Sequence, residues 1–204
     1  MKILIACEYS GIVRDAFKTR GHDAWSCDIL PTESKGNHIQ DNIFNHLNKD
    51  WDMMIAHPPC TYFSNAGNRW FSEEECGEKA IERKRLRLKA MEFVKELYNN
   101  NIPKICIENP VGFLNSNWKK PDQIIQPYYF GDPERKRTCL WLKNLQSLKY
   151  TDVVEPKIYG YHKGGKHKGQ PIHFHEHVPR TKNRSKIRSK FWKGIASAMA
   201  EQWG

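Results

Sequence analysis

Residues 2–28, KILIACEYSGIVRDAFKTRGHDAWSCD, contain the pattern that decides the fold of this chain. The apolar run at residues 2–7 predicts a buried strand of the parallel type, and a short turn follows it. Residues 12–20 predict a helix that ends at a glycine suited to the C-terminal cap. Residues 22–27 predict a second strand that ends at Asp28. This order of strand, turn, helix, strand and acid predicts an α/β, Rossmann-like sheet whose first half binds a nucleotide.

The acid at the tip of the second strand suits a nucleotide, because one carboxylate accepts hydrogen bonds from two ribose hydroxyls. Asp28 is placed for that contact, although any βαβ unit could end in an aspartate. Within the preceding helix, Arg14 is interpreted as a solvated residue. Four apolar residues of the same helix are expected to face inward: Ile12, Val13, Ala16 and Phe17.

A second stretch, MMIAHPPC at residues 53–60, predicts a short buried strand that stops abruptly. Proline cannot donate to a sheet ladder and restricts the residue before it, so Pro58 and Pro59 end the strand. Cys60 is therefore expected on a stiff loop beyond a strand end, where open α/β sheets place their ligand sites. Nearby cations would lower the pKa of such a thiol and make it a nucleophile. The alternative is a small, inert thiol buried under the loop.

Three more strands are expected farther along the chain. Residues 37–43 predict a short one ending at Asp41, which alone reads equally well as a helix N-cap. Residues 103–107 predict a buried strand that delivers Glu108 to its end, where the carboxylate is either a catalytic acid or an ordinary surface turn residue. Residues 138–142 predict a third apolar strand.

A long charged helix is predicted at residues 73–99, where apolar side chains recur at helical spacing. The basic residues of this helix are interpreted as a solvated face: Arg83, Lys84, Arg85, Arg87 and Lys89. Its expected core stripe is Ile81, Leu88, Met91, Val94 and Tyr98.

Length and composition indicate one globular domain of 204 residues with 39% hydrophobic residues, too apolar for wholesale disorder. No apolar stretch approaches the length of a membrane span and no signal peptide is evident, so a soluble protein of the bacterial cytoplasm is expected. The six cysteines are scattered without Cys-x-x-Cys spacing and are interpreted as reduced thiols, with no metal site expected.

The net charge of +10 is unevenly distributed. Residues 157–190 contain ten Lys or Arg against one acid, a balance of +9. Nucleic acid is the commonest partner of such a segment, and a solvated basic tail is the alternative. Within it, three alternating histidines would share one strand face and approach phosphate, with a metal site as the less favoured reading: His173, His175 and His177.

The loop around Cys60 carries a family resemblance. Pro58-Pro59-Cys60, then Phe63-Ser64, then Ala66-Gly67 resembles the catalytic loop of the DNA cytosine-5 methyltransferases, with Thr61 in place of the usual Gln. The resemblance implies S-adenosylmethionine as cofactor, its ribose on Asp28 and its adenine near Asp41. It also implies a cofactor-binding set of Tyr9, Ser10, Gly11, Asp28, Ile29, Asp41 and Pro58. The first turn keeps only the aromatic residue and the first glycine of the family's Phe-x-Gly-x-Gly-Gly pattern.

Two later segments extend the resemblance. Glu108-Asn109 is similar to the family's Glu-Asn-Val motif, and residues 134–137, ERKR, are similar to its Gln-x-Arg-x-Arg segment, one residue shorter. The implied catalytic residues are Cys60, Glu108, Arg135 and Arg137. The implied substrate-binding residues are Pro59, Ser64, Asn65, Arg69 and Asn109.

The expectation is a compact, phage-like member of this family. Residues 1–142 would form the catalytic core, residues 143–185 a short basic target-recognition region, and residues 186–204 a helix returning to the core. The resemblance implies methyl transfer to C5 of a flipped cytosine in double-stranded DNA, through a covalent adduct between Cys60 and C6. Two alternatives stay open: a cytosine-modifying enzyme acting on RNA or a free nucleotide, and a DNA-binding protein that has lost catalysis.

Overall fold

The computed structural model describes residues 1–179, 181–182 and 184–204. The strands within these residues are β1 (Lys2–Ala6), β2 (Asp23–Asp28), β3 (His38–Gln40), β4 (Met53–Ala56), β5 (Lys104–Pro110), β6 (Gln123–Ile125), β7 (Thr138–Lys143), β8 (Gly160–Tyr161) and β9 (Pro171–Ile172). The helices are α1 (Ile12–Thr19), α2 (Glu73–Cys76), α3 (Glu78–Tyr98), α4 (Phe113–Asn117), α5 (Phe174–His177), α6 (Arg184–Ser189) and α7 (Lys193–Trp203). Short 3-10 turns include Ile43–His46 and Asn65–Phe71.

Strands β1 to β7 form one sheet in the order β3-β2-β1-β4-β5-β7-β6. Neighbouring strands from β3 to β5 are parallel, whereas β7 runs antiparallel to both β5 and β6. The predicted α/β, Rossmann-like sheet is therefore confirmed. The chain order reverses between β1 and β4, so a crevice opens there at the carboxyl ends of the strands. The loops after β1, β2, β4 and β5 all meet at this edge.

Two apolar layers bury the central strands on both faces, which is why β1 and β4 read as continuous apolar runs. Helices α1 and α7 pack against each other on one face, where Phe17 and Met199 join the core. Helix α3 covers the other face with Val94 and Leu97. The inward face predicted for α1 is confirmed, because Val13 and Phe17 are buried and Ile12 and Ala16 pack against the same core.

Arg14 is fully buried, so its interpretation as a solvated residue is wrong. Its guanidinium donates to Ser26 Oγ at 3.0 Å and to Ser34 Oγ at 2.5 Å, and it also reaches two backbone carbonyls beyond β2. The charge is tolerated because Asp15 forms an ion pair with the guanidinium at 2.8 Å and oxygens of the loop accept from its other donors. Gly11 leaves room for this arrangement, since a Cβ there would lie 2.4 Å from an Arg14 nitrogen.

The long helix predicted at residues 73–99 is divided at Gly77, whose φ of 53° separates α2 from α3. The predicted core stripe is correct for Met91 and Val94, which are buried. It is wrong for Ile81 and Leu88, which are 55% and 53% exposed. Ala80, near the start of α3, is buried, and the helix also contacts α2 and the 3-10 turn Asn65–Phe71, so Ile81 and Leu88 lie on a side of the helix that faces solvent.

The C-terminal segment also differs from the single predicted helix. It forms α6 and α7, which are separated by residues 190–192. The alternating histidines do not share a strand face, because His173 precedes α5 and His177 lies within it. The side chain of His175 and the whole of Arg180, which belongs to the basic segment, lie outside the described residues.

Candidate active site

A cleft of about 890 Å³ lies at the sheet edge where the strand order reverses. It extends from the loops after β1 and β2 to the loop after β4, and α6 forms its far wall. The residues that line it include Cys7, Tyr9, Ser10, Asp28, Ile29, Glu33, Asp41, His57, Pro59, Cys60, Lys186 and Phe191.

The first turn, residues 7–11, is built around the buried carboxylate of Glu8. Its two oxygens accept from the backbone N–H groups of Val13 at 2.7 Å and Arg14 at 3.2 Å. A carboxylate at a helix N-terminus satisfies donors that have no partner inside the helix. Gly11 adopts a φ of 76° to enter α1. Tyr9 and Ser10, which were predicted to bind the cofactor, line the cleft. Gly11, from the same predicted set, is buried and does not line it.

The acids at the ends of β2 and β3 both reach the cleft. Asp28 accepts from the N–H of Leu30 at 2.9 Å, which fixes the turn that presents the exposed side chain of Ile29. Asp41 accepts from the N–H of Asn42 and from His46, and these hydrogen bonds hold its carboxyl pKa below the usual range. Asp41 is therefore available as a charged acceptor, and the ligand roles of both acids stay predictions.

Helix α6 lines the cleft with Lys186 and Ile187. Lys186 forms an ion pair with Glu33 at 2.5 Å, and its ammonium lies 5.7 Å from the ring centre of Tyr9. Glu33 is tied to the first turn, because its N–H donates to the Tyr9 carbonyl at 2.8 Å. The C-terminal segment thus contributes a cation and an apolar residue, Phe191, to the site.

The loop after β4 is held from beneath by the strand next to it. Asn109 is 1% exposed, and its side-chain amide donates to the Pro58 carbonyl at 2.8 Å. Pro58 is buried and does not line the cleft, whereas Pro59 does, so the predicted cofactor contact of Pro58 is not supported by its position. The contact shown for Asn109 is to the loop, and its substrate-binding role stays a prediction.

The Cys60 loop also touches the segment that follows Glu108. Phe113 donates its N–H to the Phe63 carbonyl at 2.8 Å, and Ser64 forms an isolated bridge with Gly112. A Cβ on Gly112 would lie 2.0 Å from the Phe63 carbonyl oxygen. Only glycine permits this approach, so the two predicted catalytic segments are joined through backbone contacts.

Cys60 differs from Cys7, another thiol of the cleft, in its charged neighbours. Burial raises the pKa of Cys60, but the charges of Lys136 and Arg188 oppose that rise. Burial raises the pKa of Cys7 to about 12, and the neighbouring Asp28 adds to that effect. Cations favour the thiolate, which is the reactive form. Cys60 is therefore the better placed nucleophile of the two.

Glu108 is not among the residues that line the cleft, but its side chain contacts His57, which is. Nδ1 of His57 lies 3.2 Å from Oε2 of Glu108, and the imidazole packs on Phe191 with ring centres 4.6 Å apart. Burial would raise the pKa of Glu108, but the hydrogen bond from His57 and the charge of Lys136 outweigh it and lower the pKa. The charge of Glu108 also raises the pKa of Cys60, so the predicted pair interacts electrostatically.

The cation that acts on this pair is Lys136 rather than either predicted arginine. Arg135 is exposed and contacts His173 at 3.2 Å, and Arg137 is exposed with its charge acting on Cys139. Alternate residues of an extended segment point to opposite sides, and Lys136 is half-buried between two exposed arginines. The predicted effect of Arg135 and Arg137 on the thiolate is replaced by that of Lys136.

The remaining predicted substrate residues lie beyond the cleft. Ser64 precedes the 3-10 turn that contains Asn65 and Arg69, and none of the three lines the cleft. Arg69 is exposed, with its guanidinium carbon 4.5 Å from the ring centre of Trp70, itself 48% exposed. Their contacts with a substrate stay predictions.

Helix α3 secures this loop through two arginines that the sequence placed on a solvated face. Arg83 donates to the Thr61 carbonyl at 3.1 Å, and Arg87 donates to the Tyr62 carbonyl at 2.8 Å. The Arg87 guanidinium also lies 3.1 Å from the ring centre of Phe71. Burial lowers the pKa of Arg87 to about 10. The solvated interpretation is therefore wrong for Arg87.

Three residues of the site were not predicted from the sequence: Glu8, His57 and Lys136. Two of them adjoin recognised motifs, since His57 precedes Pro58 and Lys136 stands between the arginines. Strand alternation could have identified Lys136, whereas the contact of His57 with Glu108 depends on the pairing of β4 with β5. Among the described residues, no helix has the length and apolar character to cross a membrane, and no group of three or more metal-ligating side chains is present.

Comparisons with known proteins returned little at the level of sequence. No family model matches the chain, and no curated protein matches it. A solved structure from E. coli that matches the fold is described as a "putative DNA modification methyltransferase encoded within prophage". The two are 15% identical with a TM-score of 0.43, and the match covers 76% of this chain and 50% of that one. The chain thus spans about half the length of the structure it resembles.

Proposed function

We propose that this protein is an S-adenosylmethionine-dependent DNA (cytosine-5) methyltransferase. One observation carries the proposal: Asp28, at the end of β2, and Cys60 line the same cleft. The charge of Glu108 acts on the Cys60 thiol and raises its pKa. A nucleotide-binding edge and a nucleophilic thiol beside a carboxylate are what methyl addition to a pyrimidine ring requires. The family resemblance of the residues around Cys60 and Glu108 supports the same assignment.

The cleft residues fit S-adenosylmethionine by their chemistry. Asp28 would accept from the ribose hydroxyls, and the exposed Ile29 would cover the adenine ring. Glu33 and Lys186 provide one group of each sign for the zwitterionic amino acid end. A volume of about 890 Å³ suits a ligand of this size. When bound, the cofactor supplies an electrophilic methyl group on a sulfonium.

The protein's part in the reaction begins with activation of the base. The Cys60 thiolate would add to C6 of a flipped cytosine, which makes C5 electron-rich. Glu108 would accept a hydrogen bond from the exocyclic amine of the ring, and Lys136 would favour the thiolate. After methylation, loss of the C5 proton lets the bond between C6 and Sγ break and restores the aromatic ring. Arg135 and Arg137 are proposed to contact the base or its phosphates.

DNA is the proposed substrate because of the charge around the cleft. Lys186 and Lys190 line it, and both belong to the basic segment of residues 157–190. Positive charge in such a segment attracts the phosphate backbone and positions the duplex, while the cleft takes a single base.

The decisive test incubates the protein with methyl-labelled S-adenosylmethionine and duplex DNA, followed by mass spectrometry of the nucleosides. We expect 5-methylcytosine from the unaltered chain. Cys60→Ser should reduce transfer by at least about a thousandfold while S-adenosylmethionine still binds, because only the covalent step is lost. The matched variant Asp28→Ala should chiefly weaken cofactor binding and leave alkylation of Cys60 unchanged.

The possible outcomes separate the alternatives. Turnover retained in Cys60→Ser would refute the covalent assignment. Methyl label found only in RNA or in a free nucleotide would show that the acceptor is not DNA. DNA binding without transfer, unaffected by Cys60→Ser, would identify a protein that has lost catalysis.

A further inference from the structure

The contact between His57 and Glu108 lies outside the family resemblance and raises a separate question about specificity. The two side chains are 12% and 10% exposed, and Nδ1 of His57 meets Oε2 of Glu108 at 3.2 Å. His57 directly follows β4 and Glu108 lies near the end of β5, its parallel neighbour, so the pairing of Ala56 with Ile107 places the two residues side by side. The imidazole is held on its other side by the ring of Phe191.

The two oxygens of Glu108 are in different situations. Oε2 is occupied by His57, whereas Oε1 is buried without a hydrogen-bond partner among the residues that the structure describes. A buried acceptor without a donor is unfavourable and gains most when a donor arrives. The same is true of Nε2 of His57, which has no partner in the described chain. Since Nδ1 faces a carboxylate, the proton of a neutral imidazole belongs on Nδ1.

We propose that His57 is a specificity-determining positioning residue, which keeps Glu108 an ionised acceptor with Oε1 directed at the exocyclic amine of the base. This inference rests on the proposed function. An amino group at C4 of cytosine donates to Oε1, while the oxygen at C4 of uracil or thymine would face it acceptor to acceptor. The substrate class is therefore a 4-amino pyrimidine.

Other charged groups face the pair from the neighbouring elements. Lys136 acts on Glu108 from the segment before β7, and Arg188 of α6 acts on the Cys60 thiol. Cys60 is the remaining titratable neighbour in the loop. Lys136 remains in place in every variant below, so a change in Glu108 reports the loss of the His57 contact.

The first measurement follows the side-chain carboxyl carbon of Glu108 by ¹³C NMR during a pH titration of the full chain. His57→Phe keeps a ring against Phe191 but removes the donor, so the midpoint of Glu108 should move from below 4.5 to above it. His57→Gln retains an N–H donor and should restore part of the shift. The control His22→Phe alters a histidine outside the site and should leave the midpoint unchanged.

The second measurement compares methyl transfer to duplexes with a single cytosine or a single uracil at the same site. His57→Phe should reduce the preference for cytosine at least about tenfold and move the acid limb of the kcat profile to higher pH. A partly neutral Glu108 can donate to the uracil oxygen, which explains the direction. His57→Gln should keep most of the preference.

The two readouts distinguish failure of this inference from failure of the proposed function. If the unaltered chain methylates cytosine but His57→Phe leaves both the Glu108 midpoint and the cytosine preference unchanged, the inference is overturned and the function stands. If the unaltered chain transfers no methyl group to cytosine, the proposed function fails, and the specificity role fails with it even where the titration confirms the contact.

Discussion

At the scale of single residues, the balance between burial and charge at Cys60 decides whether its thiol can react. Burial raises its pKa above 9.0, and the charge of Lys136 limits the rise. We expect Lys136→Met to raise the pKa further and to slow alkylation of Cys60 by iodoacetamide at pH 8. The rate should fall about threefold per unit of pKa, because the more basic thiolate is also the better nucleophile.

Mass spectrometry of the Cys60 peptide measures this rate, with the Cys76 peptide as an internal reference. The rate should increase with pH across the whole range up to 9, since a raised pKa leaves the thiol neutral below that value. Lys136→Arg preserves the charge and should react like the unaltered chain. An equal rate in Lys136→Met would remove Lys136 from the proposed mechanism.

Residue patterns predicted the positions of Cys60 and Glu108 better than the groups that act on them electrostatically. Cys60 follows a buried strand and Glu108 lies near the end of another, each within a local motif, so short stretches of sequence indicate their place. Lys136 and His57 act across strands, and their contacts depend on how β4, β5 and β7 align. Arg14 was misjudged for a related reason, since a loop some twenty residues away covers it.

At the scale of elements, α3 fixes the loop that carries Cys60. Arg87→Ala removes the hydrogen bond to the Tyr62 carbonyl and the stacking on Phe71, so we expect residues 61–72 to loosen. The free energy of unfolding should fall by about 2 kcal/mol, typical of a lost hydrogen bond from a charged donor. Urea unfolding measures this change, and cleavage by trypsin after Arg69 should become several-fold faster.

The matched control is Arg85→Ala on the same helix. Arg85 is exposed and pairs with Glu82 at 2.5 Å, without touching the loop in any contact that the structure describes. Surface pairs of this kind contribute about 0–1 kcal/mol. If Arg85→Ala and Arg87→Ala changed trypsin cleavage after Arg69 equally, the loop would not depend on the Arg87 contacts.

Element boundaries show where local pattern stops being sufficient. The strands before Asp28, His57 and Glu108 were predicted because apolar runs in a parallel sheet are buried on both faces. The breaks at Gly77 and at residues 190–192 interrupt otherwise continuous helical patterns. Gly77 could have been identified as a break, since glycine readily adopts a φ of 53°.

At the scale of the whole molecule, the reversal of strand order between β1 and β4 explains why distant segments form one site. The order of strands and helices along the chain predicted the sheet, and the sheet places the ends of β1, β2, β4 and β5 along one edge. The C-terminal segment was less predictable. Helix α6 reaches this edge through tertiary contacts such as that between Lys186 and Glu33, which no local pattern indicates.

The uneven charge of the molecule makes a quantitative prediction about DNA binding. Lys163, Lys166 and Lys168 are exposed around the turn that joins β8 to β9. If all three contact phosphates, replacing them with Gln should reduce the magnitude of the slope of log K for DNA binding against log salt concentration by about 3. The affinity should fall for every DNA sequence.

Fluorescence anisotropy with duplex DNA between low and physiological salt measures both quantities. The control replaces Lys18, Lys49 and Lys89 with Gln, which removes the same charge from exposed positions on other parts of the surface. If only net charge matters, DNA binding should weaken equally in both variants, because net charge acts through the overall field. If Lys163, Lys166 and Lys168 contact phosphates directly, the slope should change only in the variant that lacks them. Equal slopes in the two variants would show that the basic segment is a solvated tail, and the duplex would then have to be held by cations nearer the cleft, such as Lys190.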